Sequence, residues 1–378
     1  MKKMILILAL STLFLQFSVW ANPVAARDPK FRTQDTDLSP GRSRFTDDVR
    51  LDLPLDQVSN SKSTAVMSIE VVREVHGKLL PVEGLAFTLP GNRGVLAQTD
   101  ARGIATFQTC PSALKNGGLG GTPSLQVTLN HSFFGVVKTR FPRHSEAYRI
   151  SVSADCGQNT LLTFKADSPG GQALGIWQIG WKAYQKITGL LGAAVWRNRI
   201  EMAWPQDGDF YSFHTVHLTR GDQWDVVGHE LGHGVYDLGD LGSFGGGSHK
   251  IDECYSSALA LSEGWASFFS AWLSIDPKDP DARFEFMVPR RAPITIENVP
   301  ADVCVGETNE WRVTAFFWDL IDLHEDGERA QETFVRLWKA LAGKKVGSAK
   351  EARIEFEKAG IDKDLLSIAW ALNFKTAD

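Results

Sequence analysis

Two histidines four residues apart, with a glutamate directly after the first, are the residues whose types and spacing point most clearly to chemistry. His229, Glu230 and His233 form the pattern H-E-x-x-H. On a helix, positions i and i+4 lie on the same face, so both imidazoles can reach one ion. Glu230 is rotated by about 100° from His229, which places its carboxylate beside such an ion rather than on it. The pattern predicts two zinc ligands, His229 and His233, and a general base, Glu230.

A catalytic zinc site usually has three protein ligands and one open position. Glu263 is the only acidic residue between Glu253 and Asp276, in a stretch that is almost wholly apolar. A carboxylate buried in such a helix needs a partner such as a cation. We therefore expect Glu263 to be the third ligand and one Zn²⁺ to be bound per chain. An arginine or a backbone amide as the partner of Glu263 is the alternative.

The segment HELGHG, followed by the segment SEGWASFF, resembles the gluzincin metallopeptidases. Thermolysin-like enzymes are one branch of that family, and the fungalysin-like branch, which has an EGW motif, is the more similar one. The resemblance covers roughly residues 175–323. It implies that His229, His233 and Glu263 bind zinc, that Glu230 is the catalytic base, and that the substrate is a polypeptide.

Two positions depart from the family pattern. Ser267 stands where such families often carry an acidic residue that holds a histidine ligand from behind, and we expect Asp237, Asp240 or Asp319 to take that role. The histidine expected just before the helix that contains Trp311 is absent. The residues that could replace it in stabilising the transition state are Tyr236, Tyr255, His249 and Arg312.

The spacing of apolar residues, which indicates the elements that position these side chains, changes along the chain. Alternating, β-branched segments over residues 64–166 predict a β-sandwich, and the stretch TD-x-x-G-x-x-x-F resembles carboxypeptidase-regulatory-like and transthyretin-like sandwiches. Residues 167–172 indicate a linker, and apolar residues recur at helical spacing within residues 173–378. We predict an α+β multidomain chain, with an N-terminal β-sandwich before a mostly α-helical, zincin-like metallopeptidase domain with a small sheet.

The pattern within the second domain predicts individual elements. Helices are expected over residues 174–191, 222–238, 252–275 and 309–323, with two more after residue 328, and strands over residues 199–204 and 213–219. The strand over residues 213–219 lies just before the expected helix with His229 and His233. We expect it to be an exposed sheet edge with which an extended peptide can pair, so that residues 213–217 border the substrate cleft.

The chain starts with a short basic segment and an apolar run, and Val19-Trp20-Ala21 offers small side chains at the cleavage-site positions. These features predict a signal peptide over residues 1–21. An uncleaved membrane anchor is the alternative. Residues 22–63 indicate a flexible leader. We expect a secreted or periplasmic mature chain without a membrane span. In an oxidising compartment the four cysteines favour disulfides, and the domain boundary favours Cys110–Cys156 and Cys254–Cys304; free buried thiols are the alternative.

Composition limits the function further. The chain has 378 residues and a formal net charge of −5, which argues against a nucleic-acid partner. We expect an exported zinc endopeptidase. One alternative is a zinc hydrolase of non-peptide amides. Another is a binding or adhesion protein whose zinc domain is a non-proteolytic scaffold, which the intact Glu230 disfavours because structural zinc sites use four protein ligands.

Overall fold

The computed structural model describes residues 67–91, 94–111, 124–138, 146–245, 247–324 and 332–374. The expected signal peptide over residues 1–21 and the leader over residues 22–63 lie outside them. The described residues form several small β-sheets and seven helices. The prediction of an α+β chain is therefore confirmed.

Nine strands precede the first described helix. They are β1 (Met67–Val75), β2 (Lys78–Pro81), β3 (Ala86–Thr88), β4 (Ala97–Gln98), β5 (Ile104–Phe107), β6 (Leu125–Thr128), β7 (Phe134–Val137), β8 (Arg149–Val152) and β9 (Asn159–Lys165). In one sheet β1 pairs antiparallel with β2 and β5 and parallel with β9. A second, antiparallel sheet has the order β4-β3-β6-β8. Phe87 and Phe107 join the two sheets edge to face, with ring centroids 5.7 Å apart. The finer prediction of a β-sandwich over residues 64–166 stays a prediction.

A third sheet combines a strand from before the predicted linker with strands from after it. β7 pairs in parallel with β10 (Ile200–Ala203), which pairs in parallel with β12 (Thr215–His217). The edge strand is β11 (Phe210–Ser212), antiparallel to β12. The sheet order is β11-β12-β10-β7, and a separate two-stranded pair joins β13 (Arg283–Phe284) to β14 (Ile294–Thr295).

Of the predicted strand over residues 213–219, only Thr215–His217 is strand. Phe213 and His214 form the turn between β11 and β12, with φ angles of 45° and 61°. Positive φ at both central residues of a two-residue loop is typical of the type I′ turn, whose twist suits a hairpin. Phe213 is 78% exposed at the tip of this hairpin. The edge strand next to the helix that carries His229 and His233 is therefore β11 rather than the segment that the alternation suggested.

The helices are α1 (Pro169–Leu191), α2 (Trp224–Gly239), α3 (Ser257–Ser274), α4 (Glu310–Trp318), α5 (Phe334–Leu341), α6 (Ala349–Lys358) and α7 (Lys363–Phe374). Three described helices, rather than the predicted two, thus follow residue 328. α1 begins inside the predicted linker because Ser168 caps it, accepting a hydrogen bond from the Gly171 N–H at 3.1 Å. Pro169 fits the first turn. A Cβ on Gly171 would lie 1.8 Å from the Lys165 carbonyl oxygen, so this glycine allows close packing.

Both predicted disulfides, Cys110–Cys156 and Cys254–Cys304, are present. Disulfides persist in oxidising compartments, so they are compatible with an exported protein. None of the helices in the described part of the chain combines the length and the apolar character that a membrane span needs.

Replacement of both Cys254 and Cys304 by serine should lower the free energy of unfolding. The bridge closes a loop with a sequence separation of 50 residues, and the chain-entropy model assigns about 4 kcal/mol to a loop of that size. Urea unfolding under non-reducing conditions would measure the loss. The wild-type chain with reductant serves as a second reference, and an unfolding midpoint equal to that of the oxidised wild type would contradict the expectation.

Candidate metal centre

Three of the side chains selected from the sequence meet between α2 and α3. The Nε2 atoms of His229 and His233 lie 3.1 and 3.2 Å from the Oε2 atom of Glu263. All three side chains are at most 12% exposed. Each offers one ligand atom, and these atoms lie within 4.8 Å of one another. The three residues, called here the α2–α3 group, could therefore hold a metal ion.

Helix α2 is anchored at its first turn by Asp225. This residue is fully buried, and its Oδ2 atom accepts hydrogen bonds from the three consecutive N–H groups of residues 285–287, at 2.6 to 3.1 Å. Burial raises the pKa of Asp225 to about 6, against the opposing effect of the N–H donors. The anchor fixes the start of α2 against the loop that follows β13, and thus fixes where His229 lies one turn later.

Close approach of the two helices brings Glu263 to the histidines. A Cβ added to Gly232, between the two histidines in sequence, would lie 2.8 Å from the Cα and carbonyl oxygen of Ala266 on α3. Such contacts are too short for a real side chain. The Ser270 hydroxyl also donates to the Asp225 carbonyl oxygen at 2.9 Å. The absence of a side chain at Gly232 therefore sets the separation of the helices that carry the ligand atoms.

The side chain behind the first histidine is Ser267. Its Oγ atom lies 3.0 Å from Nδ1 of His229, at the position where we expected one of three aspartates. Ser267 is one turn beyond Glu263 on α3, so the same helix face delivers both contacts. The hydroxyl can fix the orientation of the imidazole as a carboxylate would, although without its charge.

The three aspartates expected there are engaged elsewhere. Asp237 accepts a hydrogen bond from the Tyr211 hydroxyl at 2.6 Å, and Asp240 forms an ion pair with the Lys345 Nζ atom at 3.3 Å. Asp319 accepts from the Asn373 side-chain amide at 2.6 Å. Among the described residues the contact to Nδ1 of His229 comes from Ser267 on α3, and the printed contacts of the three aspartates lie elsewhere.

Of the four candidates for transition-state stabilisation, His249 is the one that reaches the α2–α3 group. Its Nε2 atom lies 3.7 Å from Oε2 of Glu263 and 3.3 Å from Oε2 of Glu310, and its Nδ1 atom lies 3.2 Å from the Gly247 carbonyl oxygen. Sequence reasoning missed Glu310. The available signal was the position of Glu310 directly before Trp311, where the family pattern led us to expect a histidine.

The other three candidates do not join the group. The Tyr255 hydroxyl donates to a Glu253 carboxylate oxygen at 2.8 Å. The Tyr236 hydroxyl is buried, and its ring lies 5.2 Å from that of Phe244. The guanidinium of Arg312 donates to main-chain carbonyl oxygens, which are those of Val303, Cys304 and Asn373. Arg312 therefore ties α4 to two other segments.

A polar network that the sequence did not reveal continues the same face of α2. Asp237 follows His233 by one turn, and its Oδ2 atom lies 2.6 Å from the Tyr211 hydroxyl and 3.1 Å from Nδ1 of His214. Burial raises the pKa of Tyr211 above its usual range, and the bond to Asp237 adds to this. The hairpin of β11 and β12 is thereby fastened beside the α2–α3 group. A turn at Phe213 and His214 would have been the sequence signal for this network, but that segment was predicted to be a strand.

Charge is concentrated around the group. Burial raises the pKa of Glu230 well above its ordinary value, and the nearby carboxylates of Glu263 and Asp209 raise it further. Burial alone would raise the pKa of Glu263 too, but His233 and His229 outweigh burial and hold that pKa well below its ordinary value. Burial lowers the pKa of His229. Neutral imidazoles and a charged carboxylate are the forms that ligate metal ions.

The donor set fits a borderline divalent ion such as zinc. Two imidazoles and one carboxylate from two helices are a known set for catalytic zinc. The group supplies three ligand atoms, whereas structural zinc sites are closed by four protein ligands. Glu230, which follows His229 directly in sequence, is 6% exposed.

No protein-family model matches the chain, and no curated protein matches it.

Ser267→Ala should weaken divalent-ion binding by about 10- to 100-fold, because it removes the atom that orients His229. Isothermal titration with Zn²⁺ would measure the change. Ser262→Ala is the matched control, since its hydroxyl on the same helix donates only to the Leu259 carbonyl oxygen among the described residues. Equal affinities for the two variants would argue against a role for Ser267.

Gly232→Ala should destabilise the fold by about 1–3 kcal/mol through overpacking and weaken Zn²⁺ binding, because α2 and α3 must move apart. Gly189→Ala is the control, since a Cβ there meets no atom within 4 Å and alanine favours a helix by up to about 1 kcal/mol. Urea unfolding and zinc titration of both variants test the expectation. Normal zinc affinity in Gly232→Ala would contradict it.

Proposed function

We propose that the chain is an exported zinc endopeptidase of the gluzincin type, in which His229, His233 and Glu263 bind one Zn²⁺. The observation that carries the proposal is the convergence of these three ligand atoms within 4.8 Å, with Glu230 buried next to the first of them. The disulfides support an extracellular or periplasmic location. The resemblance of the HELGHG and SEGWASFF segments to gluzincins supports the reaction class.

Glu230 is proposed to act as the general base and then the general acid. When bound, zinc supplies positive charge that lowers the pKa of water towards about 7 and favours the carboxylate form of a neighbouring glutamate. The Glu230 carboxylate takes a proton from the attacking water and passes it to the leaving amine. Its near-complete burial keeps this proton from bulk solvent.

His249 is proposed to donate a hydrogen bond to the oxyanion that develops on the scissile carbonyl. Burial lowers the pKa of His249, but Glu310 and Glu263 outweigh burial and raise it, which favours the imidazolium form. Preorganised donors at such a position contribute strongly to the rate of acyl transfer. The Gly247 carbonyl oxygen, 3.2 Å from Nδ1, orients the ring, and the Nε2–H that faces Glu310 at 3.3 Å is the donor proposed to turn to the oxyanion.

The substrate is proposed to lie along β11. This strand is the edge of its sheet, and its hairpin is fastened to α2 through Tyr211 and Asp237. An extended polypeptide can add to such an edge through main-chain hydrogen bonds. The hairpin and the exposed ring of Phe244, which is 6.3 Å from that of His233, would border the same cleft.

Glu230→Gln should keep one bound zinc ion and lower casein cleavage by about 10²- to 10⁴-fold, the usual contribution of a general base. Metal analysis and chelator-sensitive proteolysis give the two readouts. Glu146→Gln, at an exposed ion pair with Arg149, is the matched control and should cleave like the wild type. Unchanged proteolysis in Glu230→Gln would eliminate the mechanism, and zinc without any cleavage in the wild type would favour a non-proteolytic scaffold.

A further inference from the structure

The two segments that carry His249 and Glu310 are joined to one another close to the α2–α3 group. His249 precedes a turn over residues 251–253, and Glu310 is the first residue of α4. The main-chain N–H of Cys304, on the segment before α4, donates to the Asp252 carbonyl oxygen in that turn at 3.0 Å. The position of the His249 ring relative to the Glu310 carboxylate therefore depends on contacts between these two segments.

The side chain of Asn309 lies in the middle of this contact and is fully buried. Its Nδ2 atom donates hydrogen bonds to the carbonyl oxygens of Ile251 at 2.8 Å and Glu253 at 2.9 Å. Its Oδ1 atom accepts a hydrogen bond from the main-chain N–H of Arg312 at 3.0 Å and thus caps α4. One side chain therefore joins the turn after His249 to the first turn of the helix that begins with Glu310.

The three partners of Asn309 match the chemistry of an amide. Aspartate and serine are also good helix caps, so capping alone does not require asparagine at this position. A carboxylate has no proton to donate to two carbonyl oxygens, and a hydroxyl has only one. Loss of the amide would leave carbonyl oxygens of the turn without their donor, which is unfavourable and favours movement of the turn.

We propose that Asn309 is a positioning residue of the endopeptidase site, which holds the turn after His249 against α4 and so keeps the His249 ring in reach of the α2–α3 group. The proposal rests on the role of His249 as the oxyanion donor. The first carbonyl group that Asn309 holds, that of Ile251, lies only two residues after His249. Asn309 thus acts through the turn rather than on the substrate.

Asn309→Ser keeps a capping oxygen but cannot replace both donors. It should lower kcat by about 10- to 100-fold, because a small misplacement of a catalytic group can cost that much. KM should stay within about twofold of the wild type, since the lost interaction is made in the transition state. Asn373→Ser is the matched control, with unchanged kcat expected. Asn373 is 4% exposed, and its amide donates to Asp319 Oδ2 at 2.6 Å and to the Ala369 carbonyl oxygen at 2.9 Å.

The same substitution in a His249→Ala background separates positioning from a general effect on the fold. If Asn309 acts through His249, Asn309→Ser should cause no further loss of kcat once the imidazole is gone, and the two effects should be strongly non-additive. Zinc content, measured in every variant, should stay at one ion per chain. An equal loss of kcat in both backgrounds, or an equal kcat for Asn309→Ser and Asn373→Ser, would overturn the proposal.

Amide hydrogen exchange gives a readout that does not depend on proteolysis. The Glu253 N–H donates to the Lys250 carbonyl oxygen at 3.0 Å, and the Tyr255 N–H donates to the Thr308 carbonyl oxygen at 2.9 Å, so both amides report on the turn. Asn309→Ser should raise their exchange rates by about tenfold, and the control variant should not. Unchanged exchange would overturn the positioning role even in an active enzyme. Failure of the endopeptidase proposal would leave the exchange result as expected here.

Discussion

The burial of one carboxylate, that of Glu263, is the constraint on which the centre of this molecule depends. An ionised carboxylate in a nearly wholly apolar helix is unfavourable unless positive or hydrogen-bonding groups surround it. Here His229 and His233 face the same Oε2 atom, and His249 approaches it from a third direction. The close packing of α2 on α3, permitted by Gly232, follows from the need to bring these groups together.

Further polar contacts hold the helices that surround this carboxylate. Asp225 fixes the beginning of α2, and Asp237 near the end of α2 holds the hairpin of β11 and β12 through Tyr211. Glu310 connects His249 to α4, which packs on α3. The elements around the α2–α3 group are therefore held by polar contacts at the helix ends as well as by the apolar core.

Helical spacing and apolar context were enough to select His229, His233 and Glu263 from the sequence, because both signals are local. The roles of Ser267 and Glu310 were not accessible in the same way. Each depends on which side chain faces it across another element, and spacing along one chain does not encode that. The turn at Phe213 and His214 was missed for a related reason: bulky residues rarely adopt positive φ, so alternation alone favoured a strand.

The parallel pairing of β7 with β10 has a consequence for how the chain can be divided. The linker predicted from Pro169 and its neighbouring glycines suggested two independent pieces, yet β7 contributes a full register of partners to the later sheet. A fragment that begins at α1 would lack that strand and present the open side of β10 to solvent, as an edge prepared to pair with other chains. Proteolytic nicking near residue 167 would therefore leave two polypeptides held together by a shared sheet, in the manner of a split protein that reassembles without a covalent bond.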